Sequence, residues 1–393
     1  MRDLLPEEAS LRRSLARAVL ERFALWGYEV VVPPAFELAE VIERGLGADE
    51  DVLRFVEPES GEVCVLRPDM TPPIARIVAT RLKDRPAPYR IAYEGTVVRL
   101  RSSRARKHRQ MAQVGVELCG LGAPAGDLEL LELAADAVRA AGLASFTIDL
   151  ADAGIVKALL EGVSEDRARA VTAALAKKDA SMLASEARGL AHADVLAALT
   201  RMHGGRESLV EAGKLLATTP AAPAAARLLA LFDAAASRGL AAHLTADAGE
   251  VRSFAYYTGL VFAIYAQGPG EPVGAGGRYD ELLARFGAPM AAVGFGLDLD
   301  ALALALGATK PRKRSSVVVV CTLEDARLCD LRARGFTAIA APDADAALAY
   351  AKAWSHGFVW SGAELVDVAS GAVTTGIDVD AVARVLEHGR KGQ

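Results

Sequence analysis

The chain has 393 residues, 52% of them hydrophobic and 24% charged, with a net charge of −5. That is material for a large buried core and two or three domains, and the charge gives no global attraction to nucleic acid or membrane. Four scattered cysteines (Cys64, Cys119, Cys321, Cys329) form no CxxC pair and no zinc spacing with histidine, MRDLLPEEAS lacks an apolar signal core, and Asp298 and Asp300 interrupt the apolar run at 293–306. The expectation is a cytoplasmic protein with reduced thiols, no membrane span, no metal and no cofactor.

Residues 6–26 carry Leu11, Leu15, Val19 and Phe23 at four-residue spacing, with Pro6 and two glutamates in the first turn. This predicts an amphipathic helix ended by Gly27, followed by a strand at Tyr28–Val32 that Pro33-Pro34 stops. Further strands are expected at Val63–Leu66, Tyr89–Val98, Val114–Leu118, Phe146–Leu150, Val261–Tyr265 and Ala291–Phe295, and helices at Pro72–Leu82 and Leu128–Ala141. From about 151 to 242 the pattern turns alanine-rich and helical, and strands return near Leu244. The expected fold class is α+β, an antiparallel sheet flanked by helices, with a helical insertion at about 151–242 and a small C-terminal α/β domain. The first domain is placed at 1–305. After the basic linker Lys310–Arg314 the second spans 315–393, with strands at Ser315–Cys321, Phe336–Ala340 and Gly357–Trp360 and helices at Ala344–Lys352 and Val379–Leu386.

Four stretches carry candidate chemistry. In LRPDMTPPIAR (66–76), Asp69 and Thr71 precede a helix; Asp69 suits an ammonium group, but a helix cap is the commoner role for Asp or Thr before an apolar run. In YEGTVVRLRSSRARKHRQMAQVGVELCG (93–120), six Lys or Arg lie within 99–109, either a phosphate or RNA grip or a solvated hairpin tip. On the following strand Gln113, Gly115 and Glu117 share a face by period-two alternation, as a polar floor or as a solvent-facing row. In VRSFAYYTGLVFAIYA (251–266), Arg252, Tyr256 and Tyr257 stand before a turn, either shaping a small-ligand site or half-buried in a sheet. GAGGRYDELLARFG (274–287) and AAVGFGLDLDALALAL (291–306) are glycine-rich; a plain turn is the commoner reason, and neither fits the P-loop or dinucleotide pattern.

The order of these stretches resembles the catalytic domain of a class II aminoacyl-tRNA synthetase and, within that class, of histidyl-tRNA synthetase. The opening helix through Pro33-Pro34 resembles motif 1, the dimer-forming element. Residues 66–76 resemble the LRPE-type segment, 93–120 motif 2, and VRSFAYYTG the histidine-specific RGLDYY segment; GGRYD and AVGFG lead into motif 3. The resemblance covers about residues 1–305, and the C-terminal domain loosely resembles the family's anticodon-binding domain. It implies that Asp69 and Gln113 hold the α-ammonium of histidine, that Glu117 and Tyr257 hold the imidazole, and that Arg252 faces the carboxylate. Thr71, Arg99 and Tyr256 complete the candidate histidine-binding set. No residue is expected to be catalytic.

The phosphate side departs from the family. Motif 2 reads Arg99-Leu100-Arg101 in place of Arg-x-Glu, the loop arginine is Lys107, the Asp of RGLDYY is Ala255, and the Gly-Leu-Glu-Arg of motif 3 is Asp298-Leu299-Asp300-Ala301. Lysine has no bidentate fork, and adenylate formation relies on cations at the developing phosphate charge. An added aspartate at 298 is expected to worsen that deficit. RPDMT in place of RPEGT and the Ala-Lys-Lys-Asp tract at 176–179 resemble the catalytically silent paralogue family, the regulatory subunits of ATP phosphoribosyltransferase, which act in histidine biosynthesis. That resemblance implies a short-form catalytic subunit as partner in a hetero-octamer, self-dimerisation through the motif 1 region, L-histidine as effector, and neither aminoacylation nor tRNA binding. The alternatives are an active histidyl-tRNA synthetase and another synthetase paralogue acting on RNA or a different amino acid.

Overall fold

The computed structural model describes residues 3–47, 52–100, 109–251, 256–307 and 314–391. Contacts divide the chain into two compact units, Met1–Gly307 and Ala308–Gln393.

The first unit opens with helix α1, Pro6–Leu25. Its buried face is Leu15, Ala16, Val19 and Phe23, and Gly27, at φ +81°, takes the left-handed turn that ends it. There follow β1 (Glu29–Val30), β2 (Phe36–Leu38), α2 (Ala39–Leu46), β3 (Arg54–Val56), β4 (Val63–Leu66), α3 (Thr71–Thr80), β5 (Tyr89–Val98), β6 (Gln110–Cys119), α4 (Ala125–Ala140) and β7 (Thr147–Asp152). The insertion supplies α5 (Ala153–Leu159), α6 (Glu165–Ala176), α7 (Ala180–Glu186), α8 (Ala193–Leu199), the short β8 (His203–Gly204), α9 (Arg206–Leu216) and α10 (Ala222–Ala235). The chain then returns through β9 (Leu244–Asp247), β10 (Leu260–Tyr265), β11 (Gly274–Arg278), β12 (Ala292–Asp298) and α11 (Leu299–Ala305).

Nine strands form one sheet in the order β1-β5-β6-β12-β11-β10-β7-β9-β8. The expected antiparallel pairing holds through its centre, but two flanking pairs, β1 with β5 and β7 with β9, are parallel, so the sheet is mixed. A parallel pair needs a crossover rather than a hairpin. The helical insertion is the crossover between β7 and β9; the small sheet β2-β4-β3 with α2 and α3 fills the one between β1 and β5. Of that small sheet only β4 is among the expected strands; β2 and β3 are three residues each, too short to carry a period.

Strand alternation sorts the two faces. Val114, Val116 and Leu118 of β6 enter the main core with α1, α4 and the insertion. On the opposite face Met70, Ile74, Tyr93, Tyr256, Tyr279 and Leu282 form a second cluster. The register places Gln113, Gly115 and Glu117 beside Asp298, Gly296 and Gly294 of β12.

The glycine stretch at 274–278 is strand β11 in the middle of the sheet, not the turn that the sequence favoured. Glycine in a strand marks a close approach. A Cβ on Gly276 would lie 2.2 Å from the Gly294 carbonyl oxygen, and one on Gly277 2.7 Å from the Tyr257 ring.

The second unit is a five-stranded sheet, β14-β13-β15-β16-β17, made of β13 (Arg314–Val320), β14 (Thr337–Ala341), β15 (His356–Ser361), β16 (Glu364–Asp367) and β17 (Val373–Thr375). Helices α12 (Ala326–Ala333), α13 (Ala344–Ala353) and α14 (Val379–Lys391) accompany it. Val317 and Val319 face one apolar cluster with Leu328, Leu331 and Leu386, and Val318 the other with Ala347 and Ala351. Of the expected basic linker, residues 310–313 lie outside the described residues.

Candidate functional site

The site is assembled where the β4–α3 turn meets the polar face of β6. After β4, Arg67 turns inward and is 6% exposed. Its guanidinium donates to the carbonyls of Thr96 (2.8 Å), Pro33 (2.7 Å) and Pro34 (2.5 Å), which fixes the turn that presents Asp69. Asp69 divides its two oxygens. Oδ1 accepts the Thr71 N–H at 2.8 Å, as a residue turning into a helix does, while Oδ2 accepts the Tyr256 hydroxyl at 3.4 Å and stands 3.9 Å from the Arg99 guanidinium. One oxygen of the carboxylate therefore serves the turn into α3, while the other faces the Tyr256 hydroxyl and Arg99. Arg99 also donates to the Pro68 carbonyl at 3.1 Å.

Glu117 is the centre of the cluster and is 1% exposed. Oε1 accepts the Thr71 hydroxyl at 2.7 Å and Oε2 accepts the Tyr279 hydroxyl. Its side chain lies flat on Gly294, where a Cβ would stand 1.7 Å from Oε2. Burial pushes the carboxyl up to about 8; the two hydroxyl donors pull it down less than that, and the Asp69 charge adds to the rise. Burial, with the Glu117 and Asp69 charges, likewise holds the Tyr93 and Tyr256 hydroxyls well above the usual phenol range. For Tyr279 burial and then Glu117 do the same.

Tyr256 packs against Tyr257 (centroids 4.9 Å apart) and edge-on to Tyr279 (5.7 Å). Gln113 shares the Glu117 face two pleats along, and the Cβ position of Gly296 lies between its Nε2 (3.8 Å) and the Tyr93 hydroxyl (3.0 Å). Of the candidate set, Asp69, Thr71, Arg99, Glu117 and Tyr256 are joined by hydrogen bonds or charge contact, Tyr257 by ring contact, and Gln113 by strand register. Arg252 lies outside the described residues, as do Arg101, Lys107 and Ala255.

Two members are absent from the sequence reading. Tyr279, in direct bond to Glu117, follows Gly-Gly-Arg, and an interpretation of those glycines as a turn hid it. Tyr93, on β5 opposite Gly115, is 3% exposed. Its signal was the alternation of β5, in which Tyr89, Ile91 and Tyr93 share one face.

On the side where the resemblance expects phosphate, Asp298 is not an added free charge. Its Oδ1 accepts the N–H groups of Asp300 (2.9 Å) and Ala301 (3.2 Å) and caps α11, so its negative charge meets the positive end of a helix. Ala301 packs its methyl against the main core.

Residues 1–302 match the family model described as histidyl-tRNA synthetase. The ATP phosphoribosyltransferase regulatory subunit of Moorella thermoacetica is 38% identical over 348 residues, covering 85% of this chain and 88% of the relative. A Bacillus halodurans crystal structure, named as an ATP phosphoribosyltransferase regulatory subunit/histidyl-tRNA synthetase, aligns with TM-score 0.80 at 31% identity over 92% of this chain and 96% of that one. Histidyl-tRNA synthetase from Nostoc sp. PCC 7120, with TM-score 0.79 over 100% and 98% of the two chains, is 19% identical and shares the fold.

Proposed function

The chain belongs to the histidyl-tRNA synthetase family and, within it, to the ATP phosphoribosyltransferase regulatory subunits, and we propose on that premise that it serves histidine biosynthesis by activating a short-form catalytic subunit and sensing L-histidine. The observation that carries the sensing role is the cluster in which Asp69, Thr71, Arg99, Glu117 and Tyr256 are joined, beside a motif 3 stretch that has Ala301 in place of its arginine. Asp69, Gln113 and Tyr256 suit an ammonium group, and Glu117 with Tyr257 suits the imidazole. Ala301 stands where the family places a guanidinium, and Arg252 is assigned the ligand carboxylate. A helix-capping Asp298 and an alanine stabilise no transferring phosphate, so neither adenylation nor aminoacylation is expected of this chain.

The reading includes a cytoplasmic setting, a hetero-octamer with equal numbers of the two chains, no tRNA binding and self-association through the motif 1 region. There Leu25, Val30 and Val32 are exposed beside β1, the end strand of the large sheet. Among the described residues no helix is long and apolar enough to cross a membrane.

The test is reconstitution. The purified chain is mixed with the short catalytic subunit, and phosphoribosyl transfer to ATP is followed with and without histidine. Co-elution, activation on mixing and a change of rate with histidine are expected. Failure to bind or activate removes the regulatory reading, and histidine-dependent ATP–pyrophosphate exchange by this chain alone replaces it with a synthetase.

A further inference from the structure

Among the described residues, Glu117 is a buried acid with no cation bonded to its oxygens. Those oxygens accept the Thr71 and Tyr279 hydroxyls, and the Arg99 guanidinium is directed to Asp69. Every other titratable or charged group among the described residues packed around it either adds negative charge or is neutral. Asp69 comes from the β4–α3 turn, Cys119 from β6 itself, Tyr93 from β5, Tyr256 and Tyr257 from the segment before β10, and Tyr279 from the end of β11. A carboxylate excluded from water is expensive unless an opposite charge or strong donors compensate it.

We infer that this site is proton-linked: in the empty chain Glu117 is a neutral acid, and it gives its proton to solvent when a ligand brings an imidazole N–H to it and an ammonium group to Asp69. This rests on the histidine-site reading above. The balance is simple. The Glu117 O–H bond breaks, the proton leaves to buffer, the electron pair stays on the carboxylate, and that carboxylate accepts the ring N–H. The ammonium group supplies the compensating charge that the empty site lacks. Binding then favours the ionised form, so the group titrates lower with ligand than without it. Apparent affinity must rise with pH up to the free-site midpoint and level off above it. The sensor therefore reads histidine and pH together.

The experiment is calorimetric titration of the full chain with L-histidine from pH 6.5 to 8.5, each point in two buffers of different ionisation enthalpy. Glu117→Gln, which cannot ionise, serves as baseline for the ligand's own titration. The wild type is expected to release up to one proton more than Glu117→Gln per histidine bound near pH 7. Its affinity relative to the variant should rise toward tenfold per pH unit below about pH 8. Tyr279→Phe removes a donor that favours the ionised carboxylate, so its profile should move to higher pH.

Binding with no proton release and no pH dependence beyond that of Glu117→Gln overturns the proton linkage while leaving the histidine site standing. A Tyr279→Phe profile superimposed on the wild type overturns the assignment of the proton to Glu117. No histidine binding at any pH overturns the site reading and the linkage together. A gain of affinity on acidification indicates an imidazolium ligand and also overturns it.

Discussion

Glu117 bears on stability as well as on the proposed binding. Its titration is raised from 4.5 to about 8 by burial, whereas in the unfolded chain it titrates near the ordinary glutamate value. Between those values the folded chain holds more protons than the unfolded one, so the stability tied to this group is full below about pH 4 and is lost as pH rises toward 8. Glutamine keeps the neutral shape without that loss. The apo Glu117→Gln chain should therefore gain melting temperature relative to wild type as pH is raised, with little difference at pH 5 and a benefit of roughly a few kcal/mol at pH 8.5. Thermal scans in matched buffers check this, and a difference that is constant with pH would contradict it. The residues of this site were legible to different degrees. Asp69, Thr71, Glu117 and Tyr256 stand in motifs whose order along the chain is distinctive. Tyr279 was not legible, because its importance lies in a bond to a strand 162 residues away.

At the scale of elements, helices and strands with their own period were readable. The stripe of α1 and the alternation of β5 each bury what their sequences say they bury. Strand β11 defeats that logic. Gly274, Gly276 and Gly277 carry no side-chain pattern, and their strand character comes wholly from neighbours that require the space. Gly294 of β12 is the sharpest instance. Gly294→Ala should destabilise the first unit by about 1–3 kcal/mol or more, since the new methyl meets both Glu117 and the Val116 carbonyl. It should also abolish histidine binding, because Glu117 must leave its place. Denaturant melts and calorimetry measure the two effects separately. A stable variant with native affinity would mean that Glu117 has another resting position. The mixed pairing of the sheet was equally hidden, since parallel partnership depends on where a long crossover returns the chain.

Over the whole molecule, each unit has its own apolar interior. The main core draws on residues from Leu15 to Leu302, and the C-terminal clusters only on residues from Val317 to Leu386. Every described member of the candidate site precedes Gly307. A chain ended at Gly307 should fold cooperatively and bind histidine with an affinity within about twofold of the full chain. Circular dichroism and calorimetry test it, and a molten or non-binding product would make the C-terminal unit part of the sensor.

One residue of the first unit has a reach beyond its own turn. Arg67 holds the carbonyls of Pro33, Pro34 and Thr96 with a single guanidinium, and Asp69 follows it by two positions. Gly95 leaves room for the guanidinium to pass over β5; a Cβ there would stand 2.6 Å from Nη2. The segment leaving β1 and the turn that carries Asp69 are thus two arms of one lever with Arg67 as its pin. In a close-packed interior such a pin transmits displacement rather than absorbing it. On the proposed reading, a partner that shifts the proline pair would move Asp69, and a ligand that draws on Asp69 would pull on the segment leaving β1.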